Sequence, residues 1–291
     1  MSYLKYCFLA IALGLMSCNS DSEDCCPINN QEPQLIIKFK FNPEQLRLNN
    51  LGELSVIPEG NASQSPNFQT MSANYIEFAP SASTILGDGE IIYEGPKTDV
   101  GGALAIDFNQ AVFAGNNETF ISIPLSQVSS GQYNWVRVSL AYQEGDIQLL
   151  SNGNLIEGTL ASFVGFNTYI DDINLNNQII SVNENKLQGF WAFEALGFTT
   201  SGQAPEGATT VPNPLFETSP IPQGSCVVTG QFSTPFQISG EETQDVEVSL
   251  SFSTNQSFEW TEVNPDGFYE PSAGEQLVDM GLRGLIPYHS N

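Results

Sequence analysis

A run of alternating residues, LIIKFKFN at positions 35–42, sets the terms for the whole chain. Ile37, Phe39 and Phe41 alternate with Lys38, Lys40 and Asn42. That period of two places one set on each face of a β-strand. Extended patterns return at YIEFAP (75–80), TFISIPL (119–125), YNWVRVSLAY (133–142), QIISVN (178–183) and QGFWAFEALG (188–197). They return again at SCVVTGQFSTPFQI (225–238), DVEVSLSFST (245–254) and QSFEWTEV (256–263). Asp88-Gly89 in TILGDGEIIY and Asn152-Gly153 in IQLLSNGNLIEGTLA sit between apolar runs, the dipeptides that close tight hairpins. A helical period is sustained nowhere, and the tail GEQLVDMGLRGLIPY predicts a single helical turn. The expected fold is all-β, a sandwich or jelly roll of many short antiparallel strands with little helix.

The N-terminus carries an address. Lys5 precedes a short apolar stretch, Phe8 to Met16, which is the layout of a secretory signal. A bilayer span needs about 20 apolar residues, and this stretch is shorter. Leu15-Met16-Ser17-Cys18 resembles the lipobox of bacterial lipoproteins, in which the cysteine takes lipid and becomes the new N-terminus. The alternative is an ordinary secretory signal with a coincidental cysteine. Asp21, Glu23 and Asp24 follow at once. This run resembles the acidic export tag of Bacteroidota surface lipoproteins; the plainer alternative is a solvated tether. The organisation expected is a signal peptide over 1–17, a lipidated acidic tether over 18–34 and a β-sandwich domain over 35–291.

Charge narrows the partners. The chain has 33 Asp or Glu against 8 Lys or Arg, a formal net charge of −25. A field of that sign repels phosphate backbones, so nucleic acid is a poor partner. It also opposes docking on an anionic membrane through a basic patch. With 41% hydrophobic residues, the composition fits a folded secreted β-protein rather than a disordered acid.

Residues 199–225 change character, with five prolines and Phe216 as an apolar foot. An interdomain division here and a long connection laid over one sandwich both fit this composition. Of five cysteines, Cys7 leaves with the signal and Cys18 takes lipid, which leaves Cys25, Cys26 and Cys226. Adjacent cysteines bond each other poorly. A bridge from Cys25 or Cys26 to Cys226 and three unbridged thiols are the two readings.

The stretch TEVNPDGFYEPSAGEQLVD, 261–279, is the strongest candidate for chemistry. Glu262, Asn264 and Asp266 alternate and Gly267 follows, like the start of a calcium loop of the D-x-N-x-D-G kind. Alternate oxygens with a glycine bend let one loop wrap a hard cation. The candidate Ca²⁺ shell comprises Glu262, Asn264, Asp266, the Phe268 carbonyl, Glu270, Glu275 and Asp279. Glu in place of the first Asp, Pro265, and Ala273 at the closing position depart from that pattern. The competing reading is a polar hairpin turned by Pro265-Asp266-Gly267.

Nucleophilic triads find little footing, because the single histidine, His289, is near the C-terminus. Paired-carboxylate chemistry on sugars would draw on Asp171, Asp172 and Glu194 near Trp191. Trp135, Trp191 and Trp260 invite sugar stacking, although alternation within strands sends at least two of them to the core. Phe190, Trp191 and Phe193 form a knot in which Trp191 points away from its neighbours, toward an open face. Arg137 and Arg283, in apolar strings of so acidic a chain, are expected to pair with carboxylates.

Taken together, the lipobox, the acidic run, LIIKFKF, SANYIEFAP, GQYNWVRVSLAYQ and VNPDGFYEPSAGEQLVDMGLRGLIP resemble an uncharacterised family of Bacteroidota surface lipoproteins. The strand openings also resemble the methanobactin-partner β-sandwich proteins. That second resemblance implies copper handling, but the imidazole and soft sulfur ligands copper favours are scarce here. The function expected is a surface-exposed outer-membrane lipoprotein, held by its N-terminal lipid, with a non-catalytic binding or scaffolding role. Its partner would be an outer-membrane protein or a glycan. A carbohydrate-binding or carbohydrate-active protein and a metal-binding lipoprotein are the alternatives.

Overall fold

The computed structural model describes residues 32–204, 219–282 and 284–290. The signal, Cys18, Cys25, Cys26, nearly all of the tether, Phe216 and Arg283 lie outside the described residues.

The opening alternation becomes β1 (Gln34–Asn42), with Leu35, Ile37, Phe39 and Phe41 turned inward. It pairs in parallel with β15 (Val246–Ser253) and antiparallel with β7 (Glu118–Pro124). β18 (Leu285–Ser290) completes this sheet beyond β15. Inward Val248, Leu250 and Phe252 continue the apolar face of β1. Phe39 stacks on Phe120 at 4.3 Å and meets Phe252 edge-on at 5.3 Å. Burying each such side chain contributes about 1.5–3 kcal/mol.

Opposite lies a larger sheet built on β8 (Gly131–Ser151), a strand of 21 residues. One edge of β8 pairs with β3 (Asn67–Ala79), which carries β4 (Glu90–Glu94). Its other edge is shared. Residues 131–140 pair with β14 (Cys226–Ile238), and residues 142–151 pair with β9 (Asn154–Phe163). The exchange of partners falls at Ala141, whose carbonyl accepts the N–H of Val164 at 2.9 Å and of Gly165 at 3.1 Å. β12 (Phe190–Ala195) and β13 (Phe198–Gln203) extend the sheet beyond β9.

The two halves of β8 therefore serve different layers. Its first half, with β3 and β14, faces the β1 sheet across the main core, where Val136, Val138, Phe78 and Phe236 meet Phe39 and Leu250. Its second half, with β9 and β12, is covered on both faces. One side meets β10 (Asn167–Leu175) and β11 (Gln178–Leu187), which join β6 (Ala105–Asp107) and β5 (Lys97–Thr98). The other meets β16 (Phe258–Thr261), flanked by β17 (Gln276–Met280) and β2 (Asn61–Gln64).

The all-β sandwich architecture is as the alternation predicts, with two parallel pairs among the described residues, β1 with β15 and β6 with β10. Asn152-Gly153 closes the β8–β9 hairpin with φ of 50° and 73°, as its two-residue turn requires. Asp88-Gly89 does not form such a turn. Residues 80–89 make a long loop between β3 and β4, and Thr84–Leu86 are not strand. The helical turn expected in the tail is also displaced: a 3₁₀ turn occupies Pro271–Ala273, and the tail itself forms β17 and β18. β13, which takes up the first residues of the proline-rich 199–225 stretch, and β14, which follows it, join one sheet, β13 through β12 and β14 through β8. The described residues cluster as one unit. Among the described residues no helix is long and apolar enough to cross a membrane.

Candidate functional site

β12 sorts its side chains by parity. Phe190 and Ala192 turn toward β10 and β11, whereas Trp191 and Phe193 turn toward β16 and β17. Two glycines make room for the outward pair. Gly202 is the cross-strand partner of Trp191, and a Cβ there would lie 2.6 Å from the indole Cζ2. A Cβ at Gly158 would lie 2.2 Å from Phe193 Cζ. Glycine inside a strand marks such close approach.

Facing them stands Tyr269. Its carbonyl accepts the Leu150 N–H at 2.7 Å, which docks the 262–275 loop on the end of β8. Its ring meets Phe258 edge-on at 5.2 Å and Trp260 at 5.5 Å. Between the two walls lies a cavity of about 340 Å³. Trp191, Phe193, Leu160 and Thr200 line one side, with Ile147 and Leu149 from β8. Phe258, Tyr269, Pro271 and Leu277 line the other. The wall is aromatic and aliphatic, and the hydroxyls of Thr200 and Tyr269 supply its side-chain oxygens. Burial, and then the negative charge of Glu275, push the Tyr269 hydroxyl above its ordinary pKa, so it stays a donor at neutral pH.

The loop holding Tyr269 contains the candidate calcium residues, and their oxygens are directed at the loop's own backbone. Glu275, 5% exposed, accepts N–H groups from Val263 (3.1 Å), Asn264 (3.4 Å) and Glu270 (2.6 Å). Glu262 accepts from Gly267 N–H at 2.6 Å, and Asp266 from Phe268 N–H at 2.9 Å. The Asn264 amide donates to Glu270 at 2.8 Å. Asp279 accepts from Gly281 N–H at 3.1 Å, at the far end of β17 from Glu275. Among the described residues no three acidic, histidine or cysteine side chains are grouped to hold a metal ion. The geometry is that of a loop stapled by its own carboxylates.

The carboxylates named with Trp191 are not gathered around it. Glu194 lies three residues along β12, on the opposite face, where it accepts from the Asn176 amide and Gly197 N–H, each at 2.7 Å. Asp171 accepts from the Asn109 amide at 2.7 Å and Asp172 from the Ser181 hydroxyl at 2.6 Å, both on β10. Glu194 instead joins a polar row across the sheet. Asn176 also donates to the Thr159 hydroxyl at 2.7 Å, and Thr159 donates to Asp146 at 2.8 Å. Of the tryptophans, Trp260 is fully buried, Trp135 is half-buried and Trp191 lines the cleft. Cys226 is buried at the start of β14. Arg137 pairs with Glu77, as its apolar setting predicts.

Sequence reasoning reached Trp191, Phe193 and the 262–275 loop, but passed over Tyr269, between Phe268 and Glu270. Gly158 and Gly202, each interior to a strand, were the legible sign of two large rings lying close by. A search of protein-family models, of curated proteins and of solved structures finds no match to this chain.

Proposed function

We propose that this chain is a lipoprotein of the outer membrane, exposed on the outer face, that binds a small ligand in the cleft between Trp191 and Tyr269. The anchor rests on Leu15-Met16-Ser17-Cys18 and the acidic run behind it. Several acyl chains at about 0.8 kcal/mol per buried CH₂ make such an anchor persistent.

The observation that carries the binding role is the cavity itself. Its volume of about 340 Å³ falls among small-molecule sites, which are concave, largely apolar and furnished with few polar groups. No carboxylate, imidazole or thiol is among its lining side chains, so its chemistry is that of holding a ligand. A sugar would find a platform in Trp191 but few partners for its hydroxyls.

Two measurements test the reading. Cells expressing the full chain and fed labelled palmitate should yield labelled protein, and Cys18→Ser should abolish both label and membrane fractionation. Intrinsic tryptophan fluorescence, followed against a panel of sugars, lipids and amines, should change saturably with one class. That response should disappear in Trp191→Leu. Unlabelled protein would remove the anchor, and a response undiminished in Trp191→Leu would remove the cleft.

A further inference from the structure

Resting on the cleft as a ligand site, we infer that its ligand is an organic cation with an apolar body, of the quaternary ammonium class. Three observations lead there together. Four aromatic rings, Trp191, Phe193, Phe258 and Tyr269, line one cavity. Aromatic faces carry negative potential, and a cation within about 6 Å of a ring centroid is attracted to it, most strongly by tryptophan. The walls offer few hydrogen-bonding groups, which suits a cation that has no N–H to donate.

The third observation is the surrounding charge. Between Arg137 and Arg283 the sequence has nineteen Asp or Glu and one basic residue, Lys186. All the lining side chains come from this span. Lys186 lies over Phe190 at 4.7 Å, on the side of β12 that faces away from the cleft. No Lys or Arg is among the lining side chains, and Arg47, which reaches β16, is paired there with Glu259. Glu275 stands near enough to Tyr269 to raise its pKa, which places negative charge close behind one of the rings. An anionic ligand meets an opposing field, a neutral one gains only burial, and an organic cation gains burial, ring attraction and field together. The roomy volume admits a trimethylammonium group with a short tail.

Isothermal titration calorimetry on the full chain in detergent, at constant ionic strength, decides the matter. The probes are choline chloride, its neutral isostere 3,3-dimethylbutan-1-ol, and D-glucose. Choline should bind saturably and at least tenfold more tightly than the neutral alcohol, with no saturable heat from glucose. Trp191→Leu should weaken choline at least tenfold. Trp191→Phe, which keeps a ring and most of the bulk, should weaken it less, with thermal melts confirming that both variants fold. Equal binding of choline and the alcohol, each weakened by Trp191→Leu, would overturn the cationic class and leave the cleft as a ligand site. Saturable glucose binding lost in Trp191→Leu would overturn the class in favour of a sugar. No saturable heat from choline, or choline binding unchanged in Trp191→Leu, would overturn the assignment of choline-type cations to this cleft.

Discussion

Trp191 packs over Gly202 on the neighbouring strand so closely that a methyl group on Gly202 would lie 2.6 Å from the indole Cζ2. An indole is rigid, so the ring and not a flexible tip must move. Gly202→Ala should therefore tilt Trp191 into the cleft at an overpacking cost of about 1–3 kcal/mol, partly offset by the lower chain entropy of alanine. The expected result is a shifted tryptophan emission maximum and a modest loss in urea-unfolding midpoint. An unchanged spectrum would show that the ring has room to spare.

Glu77 and Arg137 form a buried ion pair between β3 and β8, with Nη1 3.4 Å from Oε1. Glu77, fully buried, also accepts from the Tyr75 hydroxyl (2.9 Å), Gly87 N–H (2.8 Å) and Gly89 N–H (2.9 Å). Arg137 donates to the Thr84 carbonyl at 2.6 Å. One carboxylate and one guanidinium thus fasten the whole 80–89 loop to the sheet, which is why Asp88-Gly89 does not close a tight hairpin. Removing one partner leaves a buried charge, at about 3–5 kcal/mol. Glu77→Leu and Arg137→Met should each destabilise by that order in urea unfolding. The double variant should lose clearly less than the two losses together, and strict additivity would show that the pair does not act as a unit.

Glu275 does for the 262–275 loop what Glu77 does for the 80–89 loop. Its carboxylate gathers the N–H groups of Val263, Asn264 and Glu270. Glu275→Ala leaves three donors without their acceptor, a loss of about 1–3 kcal/mol for the group that stays buried. Amide hydrogen exchange should rise across 263–270 while β8 and β9 stay protected. Glu262→Ala removes an exposed staple to Gly267 alone and should have a smaller effect on both measures. Faster exchange spread evenly over the protein would mean that the loop does not open on its own.

What was legible in the chain follows from the range of the forces involved. Strand periodicity is local, so β1, β8, β12 and β15 could be read from residue spacing, and Asn152-Gly153 carries its own turn geometry. The division of one edge of β8 between β14 and β9 is not local, because the hairpin supplies β9 but β14 comes from far along the chain, and the two meet at Ala141. Parity places Trp191 opposite Phe190 and puts Glu194 on the face of Phe190, but nothing local reveals the row that Glu194 joins there through Asn176 and Thr159. The alternating acids of 262–279 read equally well as metal ligands and as amide acceptors, since both uses ask for oxygens at short spacing. Tyr269 gave no signal at all, because its place depends on a carbonyl docking to Leu150.

Glu144, two residues before Asp146 on β8, has a titration of its own. Burial lifts the Glu144 carboxyl above the ordinary 4.5, the Tyr142 hydroxyl donating to it at 2.5 Å pulls it back, and the charge of Asp146 adds to the lift. A carboxylate whose pKa is higher folded than unfolded is bound more tightly by its proton in the native state. Its contribution to stability is fully present below about 4.5 and is lost as pH rises through the elevated value. Glu144→Gln keeps a carbonyl oxygen for Tyr142 while removing the charge. The variant should melt higher than the parent at pH 7, and the gap should shrink as pH falls toward 4.5, where the parent's own carboxyl takes up its proton. Melting curves across that range decide the point: a gap independent of pH would assign the difference to packing, and a parent that melts higher at pH 7 would reverse the sign derived from burial.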